Sequence, residues 1–72
     1  MKIIIIGCGK VGSTLVEQLS AEGHDIVLVD TSEQKLAVAA NTYDVLTLVG
    51  NGSSFNTQLE AGIEKADLLI AV

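Results

Sequence analysis

The chain has 72 residues, enough for one domain at most, and a chain this short buries only about 60% of the surface its unfolded form exposes. Nine acidic residues face four basic ones, all lysine, for a net charge of −5, which argues against nucleic acid and anionic membrane surfaces as partners. The single cysteine cannot close an internal disulfide and fits a reducing compartment.

The first element is the run Ile3, Ile4, Ile5 and Ile6. Four apolar residues ended by a glycine are too short for a signal peptide or a membrane span. They read instead as a strand buried on both faces, as a parallel sheet requires. Gly7-Cys8-Gly9-Lys10-Val11-Gly12 follows. Gly7 permits the sharp turn off the strand, Gly9 lets a pyrophosphate approach bare backbone, and Gly12 lets a helix pack close to the strand. The helix spans about residues 10–22, with Val11, Leu15 and Leu19 as its buried stripe and Gly23 closing it. Its free N–H groups and positive dipole end point at the phosphates. Residues 26–29 form the second strand. Asp30 stands at its tip, eighteen residues past Gly12, where a carboxylate can accept bonds from ribose hydroxyls. Its carboxylate repels a 2′-phosphate and no arginine is present to neutralise one, which favours NAD over NADP. A glycine-rich βα turn of another doubly wound protein is the plainer reading of the same residues.

Thr31 or Ser32 caps a second helix, and Thr31-Ser32-Glu33-Gln34 reads as a capping box. This helix reaches about Asn41, with Leu36, Ala39 and Ala40 on its inner face. Residues 45–49 form the third strand. Gly50-Asn51-Gly52-Ser53-Ser54 is a second glycine-containing loop leading into a helix over residues 55–61, closed by Gly62. Residues 68–72 form the fourth strand. The strict alternation demands right-handed crossovers and a parallel sheet. The expected fold is α/β: a truncated Rossmann fold with four strands in the order 3-2-1-4 and helices on both faces, ligands binding at the carboxyl ends of the strands.

The chain resembles the N-terminal nucleotide-binding domain of Trk-type potassium-uptake regulators, the KTN domain or RCK N-lobe. The matching stretches are MKIIIIGCGKVGSTLVEQL, HDIVLVDTSEQKL, LTLVGNGSS and LEAGIEKADLLIAV. The first motif is shared with all Rossmann dehydrogenases; the second loop and the final stretch are more particular to the family. The match covers the whole chain but only about half of a KTN domain. It therefore implies that residues 1–72 are the N-terminal part of such a domain, the remainder and any C-lobe lying outside them. An apolar fourth strand left as an edge points the same way, and to a homo-oligomer in which residues 68–72 take part.

The resemblance further implies a non-enzymatic sensor of adenine nucleotides, NAD(H) or alternatively ATP, ADP or AMP. It would sit on the cytoplasmic face of the membrane through a membrane-embedded potassium transporter subunit, without inserting itself. Position by position, Gly7, Cys8, Gly9, Lys10, Val11 and Gly12 would form the phosphate loop. Asp30 would take the adenosine ribose, Thr31 would line the same pocket, and Asn51, Gly52 and Ser53 would border the adenine. Contacts to the other half of a dinucleotide would come from beyond the fourth strand.

Other residues carry blander readings. Cys8 at a helix N-terminus could hold a stabilised thiolate, or be a small filler beneath the loop. Lys10 could add a screened attraction to a pyrophosphate or point into water. Lys35 reads as solvated. His24 reads as a surface-turn histidine, with no metal-ligand spacing around it, and no nucleophile–base pair is visible. An N-terminal fragment of an NAD-dependent dehydrogenase is the enzymatic alternative, though its acid–base group and substrate pocket would come from a second domain. A structural piece that oligomerises without ligand is the third.

Overall fold

The computed structural model describes the backbone of all 72 residues and every side chain except that of Phe55. The isoleucine run lies in β1 (Lys2–Ile6), the β-branched side chains suiting a pleated, doubly covered strand. It pairs in parallel with β2 (Asp25–Asp30) on one side and β4 (Leu68–Ala71) on the other, while β3 (Leu46–Val49) pairs with the outer side of β2. The order is β3-β2-β1-β4, as the sequence implies. Ile4 faces Val27 and Leu69 across the ladders, and Asp30 faces Val49.

Two cores form because alternate strand residues point to opposite faces. Ile3, Ile5, Ile26 and Leu28 pack with Val16 of helix α1 (Lys10–Ala21) and with Leu36 and Ala39 of helix α2 (Glu33–Thr42). Ile4, Val27 and Val29 pack on the other face with Ala61 of helix α3 (Phe55–Ala61). Ile4, Ile5 and Leu28 are wholly buried, and burial of such a side chain contributes about 1.5–3 kcal/mol. Gly62, in the left-handed region at φ +89°, ends α3. A single 3₁₀ turn, Ile63–Lys65, then leads to β4; the sequence reading did not contain it. Lys2 N–H donates to the Asp67 carboxylate at 2.8 Å, and Asp67 N–H donates to the Lys2 carbonyl at 2.8 Å, which pins the start of β4 to the start of β1.

Three packing expectations are corrected. In α1 the buried residues are Gly12 and Val16, with Leu15 and Leu19 packed on their flank, while Val11 is 62% exposed. The helix rests on its glycine, and that rotation turns the neighbouring Val11 outward. In α2, Leu36 and Ala39 are buried but Ala40 is exposed. Tyr43, four residues past Ala39, continues the seam, so Ala40 lies one position off it. No Thr31–Gln34 capping box forms. Ser32 is the N-cap, and its hydroxyl accepts from Lys35 N–H at 3.3 Å. With lysine at that third helical position, no side-chain acceptor returns to the cap.

Gly12 is what allows this packing, because a Cβ there would overlap the Gly7 carbonyl oxygen. Gly12→Ala should therefore destabilise the chain by about 1–3 kcal/mol through overpacking. A Cβ on Gly9 meets nothing within 4 Å, and its φ is −81°. Gly9→Ala should stay within about 0.5 kcal/mol of wild type. Denaturant melts of the two variants check the contrast.

Candidate functional site

The carboxyl ends of the strands are latched together one residue beyond each ladder. Gly7 N–H donates to the Val29 carbonyl at 2.8 Å, Gly50 N–H to the Asp30 carbonyl at 3.0 Å, and Val72 N–H to the Ile6 carbonyl at 2.9 Å. Gly7 has φ +113°, and a Cβ on it would lie 2.6 Å from the Val72 carbonyl oxygen. Both conformation and space demand glycine there.

From Gly7 the chain enters α1 through Gly9, its N-cap, and no side chain caps the helix's N-terminus. The first of its amides with a backbone acceptor beyond the turn is that of Ser13, which donates to the Gly9 carbonyl at 2.9 Å. No acidic residue occupies the first turn. The N–H groups of Lys10, Val11 and Gly12 therefore sit at the positive end of a twelve-residue helix, beside a glycine with open space where a side chain would be. That is a cradle for an anionic group.

Asp30 closes the other side. One carboxylate oxygen accepts from Cys8 N–H at 2.7 Å and the other from Ser32 N–H at 2.7 Å. Each oxygen keeps a second acceptor position, so the group can hold its loops and still take hydroxyl donors. The backbone bonds from Ser32 and Cys8, chiefly, hold its carboxyl below the ordinary value of 3.8. Lys35 adds to this electrostatically, against the opposing effect of desolvation.

The second loop borders the same end of the sheet. Asn51 Oδ1 accepts from Ser53 N–H at 3.0 Å and from the Ser53 hydroxyl at 2.8 Å. The Gly52 carbonyl accepts from Gln58 Nε2 at 3.0 Å. A Cβ on Gly52 would overlap the Ile6 side chain, so the loop lies flat against the end of β1. Thr31 is exposed beside Asp30.

The structure thus brings Gly7, Gly9, Gly12, Asp30 and the 51–53 loop to one end of the sheet, with Lys10 and Val11 exposed on the first turn of α1. Cys8 contributes its backbone only. Its side chain is buried in the core under α1 and α2, with Sγ 3.8 Å from the Lys35 carbonyl, the filler reading of that residue. His24 lies at the opposite end of the sheet, 3.5 Å from Glu22 and in a cleft with Asp25 and Asp44. Ser32 is the residue that sequence reasoning missed as a partner of Asp30. Its signal is the Asp30-Thr31-Ser32 spacing, since an aspartate commonly bonds the N–H two residues on.

A parallel sheet in this order, a glycine turn into an uncapped helix and an acid at the tip of the next strand define a Rossmann-type α/β domain. The sequence pattern of the TrkA-N domain family matches residues 3–72, and the chain belongs to that family. It is 47% identical over all 72 residues to the Trk system potassium uptake protein TrkA of Halomonas elongata. The figure is 43% for the protein of that name from Azorhizobium caulinodans. The chain spans 16% of the length of each. It is also 41% identical over 71 residues to the Trk system potassium uptake protein TrkA homolog of Methanothermobacter thermautotrophicus, of which it spans 33%. Among the described residues, no helix is long and apolar enough to cross a membrane.

The carboxylate tie gives a pH-dependent prediction. Because the Asp30 pKa is lower in the folded chain than its ordinary 3.8, its stabilisation is fully present above that value. It is lost as pH falls from there through the depressed folded value. Asp30→Asn, which leaves one backbone N–H facing an amide donor, should destabilise the chain at pH 7 by about 1.5–3 kcal/mol. Urea melts of wild type and variant at pH 7 and near pH 3 should show the gap narrowing with acid.

Proposed function

We propose that this chain binds an adenine nucleotide, NAD(H) first and ATP, ADP or AMP as alternatives, as the sensor domain of a potassium-uptake regulator. Gly9 and the first-turn N–H groups of α1 would receive the phosphates. Asp30 would accept from the ribose hydroxyls, with Thr31 beside it, and Asn51, Gly52 and Ser53 would border the adenine. The single observation that carries this reading is Gly9. Its φ is ordinary and its Cβ position is open, so packing within the chain does not demand glycine, whereas close approach of a phosphate to the backbone does.

The names of the relatives support a place in potassium uptake; in this reading a membrane-embedded transporter subunit is the partner and the domain lies on its cytoplasmic face. The reading is non-enzymatic. Its support is the position of the one histidine, which lies away from the glycine turn, and the regulatory character of the family to which the chain belongs. In this reading residues 1–72 form the N-terminal part of a larger nucleotide-binding domain.

Isothermal titration with AMP, ADP, NADH and NADPH tests the site. Asp30→Ala should weaken AMP and NADH by about 1–3 kcal/mol. Gly9→Val should abolish binding while its melt stays near that of wild type. NADPH should bind more weakly than NADH to the wild type, because its 2′-phosphate meets the Asp30 carboxylate. Unchanged affinity in both variants would remove the phosphates from the place assigned to them.

Leu68, Leu69 and Val72 are 44%, 39% and 55% exposed along β4 and just beyond it. Such an edge favours association with a second copy. Light scattering at micromolar concentration should give a mass of at least a dimer, and Leu69→Lys should shift it toward monomer.

A further inference from the structure

We propose that the cleft between α1 and α2 is a second ligand site, taking a small amphipathic anion with an anionic head on a compact apolar body. The cleft is an open groove of about 440 Å³, a volume within the range of ligand pockets in general. Its apolar wall comes from Val38, Ala39 and Tyr43, with the Cys8 side chain lining it from the core, and Lys10 and Lys35 stand on it from the two helices.

Charge selects the occupant. The chain carries nine acidic residues and four lysines. Two of those lysines converge on this cleft, and no carboxylate is among its lining residues. Among the described residues, neither lysine is within 4.0 Å of a carboxylate oxygen. The cleft at the other end of the sheet is different, because there Lys2 shares the lining with Asp25 and Asp44. Val38 is 68% exposed although it lies on the same helix as the buried Leu36 and Ala39, which leaves a branched apolar side chain at the rim for the body of the ligand. The cleft adjoins the nucleotide reading at Gly9 and Lys10, which line it, and extends away from it along α2 through Val38, Thr42 and Tyr43.

The probe is 4-phenylbutyrate, with its uncharged counterpart 4-phenylbutan-1-ol and inorganic phosphate as controls, followed by amide chemical shifts of the protein. The butyrate should produce saturable shifts at Lys35, Val38, Thr42 and Tyr43, and the alcohol should bind about tenfold more weakly. Lys35→Gln should weaken the butyrate about three- to fivefold, as loss of one part-screened charge implies. Val38→Glu, which places a carboxylate at the rim of a surface helix, should weaken it further. Equal binding of the alcohol, saturation of the same amides by phosphate alone, or shifts confined to the exposed strands β3 and β4 would each overturn the proposal. The titration is repeated with AMP present. Gly9 and Lys10 border both readings, so the arms are told apart by location: saturable shifts at Val38, Thr42 and Tyr43 without AMP report this site, and shifts of residues 7–12 with AMP alone report the nucleotide reading.

Discussion

The carboxylate of Asp30 is the group on which the arrangement of the site depends. It bonds the N–H of Cys8 in the first glycine loop and the N–H of Ser32 at the start of α2. Those two loops follow different strands, and no other side chain joins them among the described residues. Both donors are backbone groups, so positions 8 and 32 could change identity without breaking the tie, while position 30 could not. Charge-assisted bonds of this length are about twice as strong as neutral ones. A group that must stay ionised to hold its own loops is already ionised for any hydroxyl that reaches it. Structural and binding demands therefore fall on one side chain and do not conflict, because each oxygen spends only one acceptor position on the fold.

The glycines divide by the reason each is required. Gly7 is required by φ and by the approach of Val72, Gly12 by the Gly7 carbonyl, and Gly52 by Ile6. Each of these has an explanation inside the chain. Gly9 meets no such constraint of space or backbone angle, and the role proposed for it is the open approach it leaves to the backbone. The same logic keeps Cys8 out of the site's chemistry. Its thiol has a sufficient explanation as core, packed below the loop whose backbone it supplies.

How far the sequence could be read follows from which physics each feature expresses. Strand order, helix count and the end of α3 at Gly62 rest on periodicity, crossover handedness and backbone sterics, all local or topological, and all were legible. The seam of α1 was not. Val11, Leu15 and Leu19 have helical spacing, yet the helix sets Gly12 against the β1 turn and buries Gly12 and Val16 instead. Ala40 lies off the seam that Leu36 and Ala39 form, and a small side chain has little to gain from either face. Thr31 and Ser32 are both good caps, and the sequence offers either; Ser32 is the one used. The choice between them was made by Asp30, whose bond to Ser32 N–H fixes where the helix begins. For the site, the glycine turn and the acid were legible as residues, but their joining through hydrogen bonds was not, since it depends on two loops meeting in space.

The two ends of the sheet have different chemistry, and the sequence builds that difference from the same few charges. At the amino ends, Glu22, His24, Asp25, Asp44 and Asp67 lie in the turns, and Asp67 is spent on the Lys2 backbone. At the carboxyl ends stand the uncapped N-terminus of α1 and, nearby, Lys10 and Lys35, with Asp30, its charge already met by two backbone donors, and Glu33 in the first turn of α2. A chain of net charge −5 would repel an anion over most of its surface. The uncapped amides of α1 with Lys10 and Lys35 stand at one end, while Lys2 shares the other with Asp25 and Asp44, which makes the carboxyl ends the more favourable approach for an anion. The direction of the strands sets which end that is. Parallel strands with right-handed crossovers place the α1 N-terminus beside the carboxyl tip of β1, so the polarity of the sheet and the proposed preference for negative ligands share one cause.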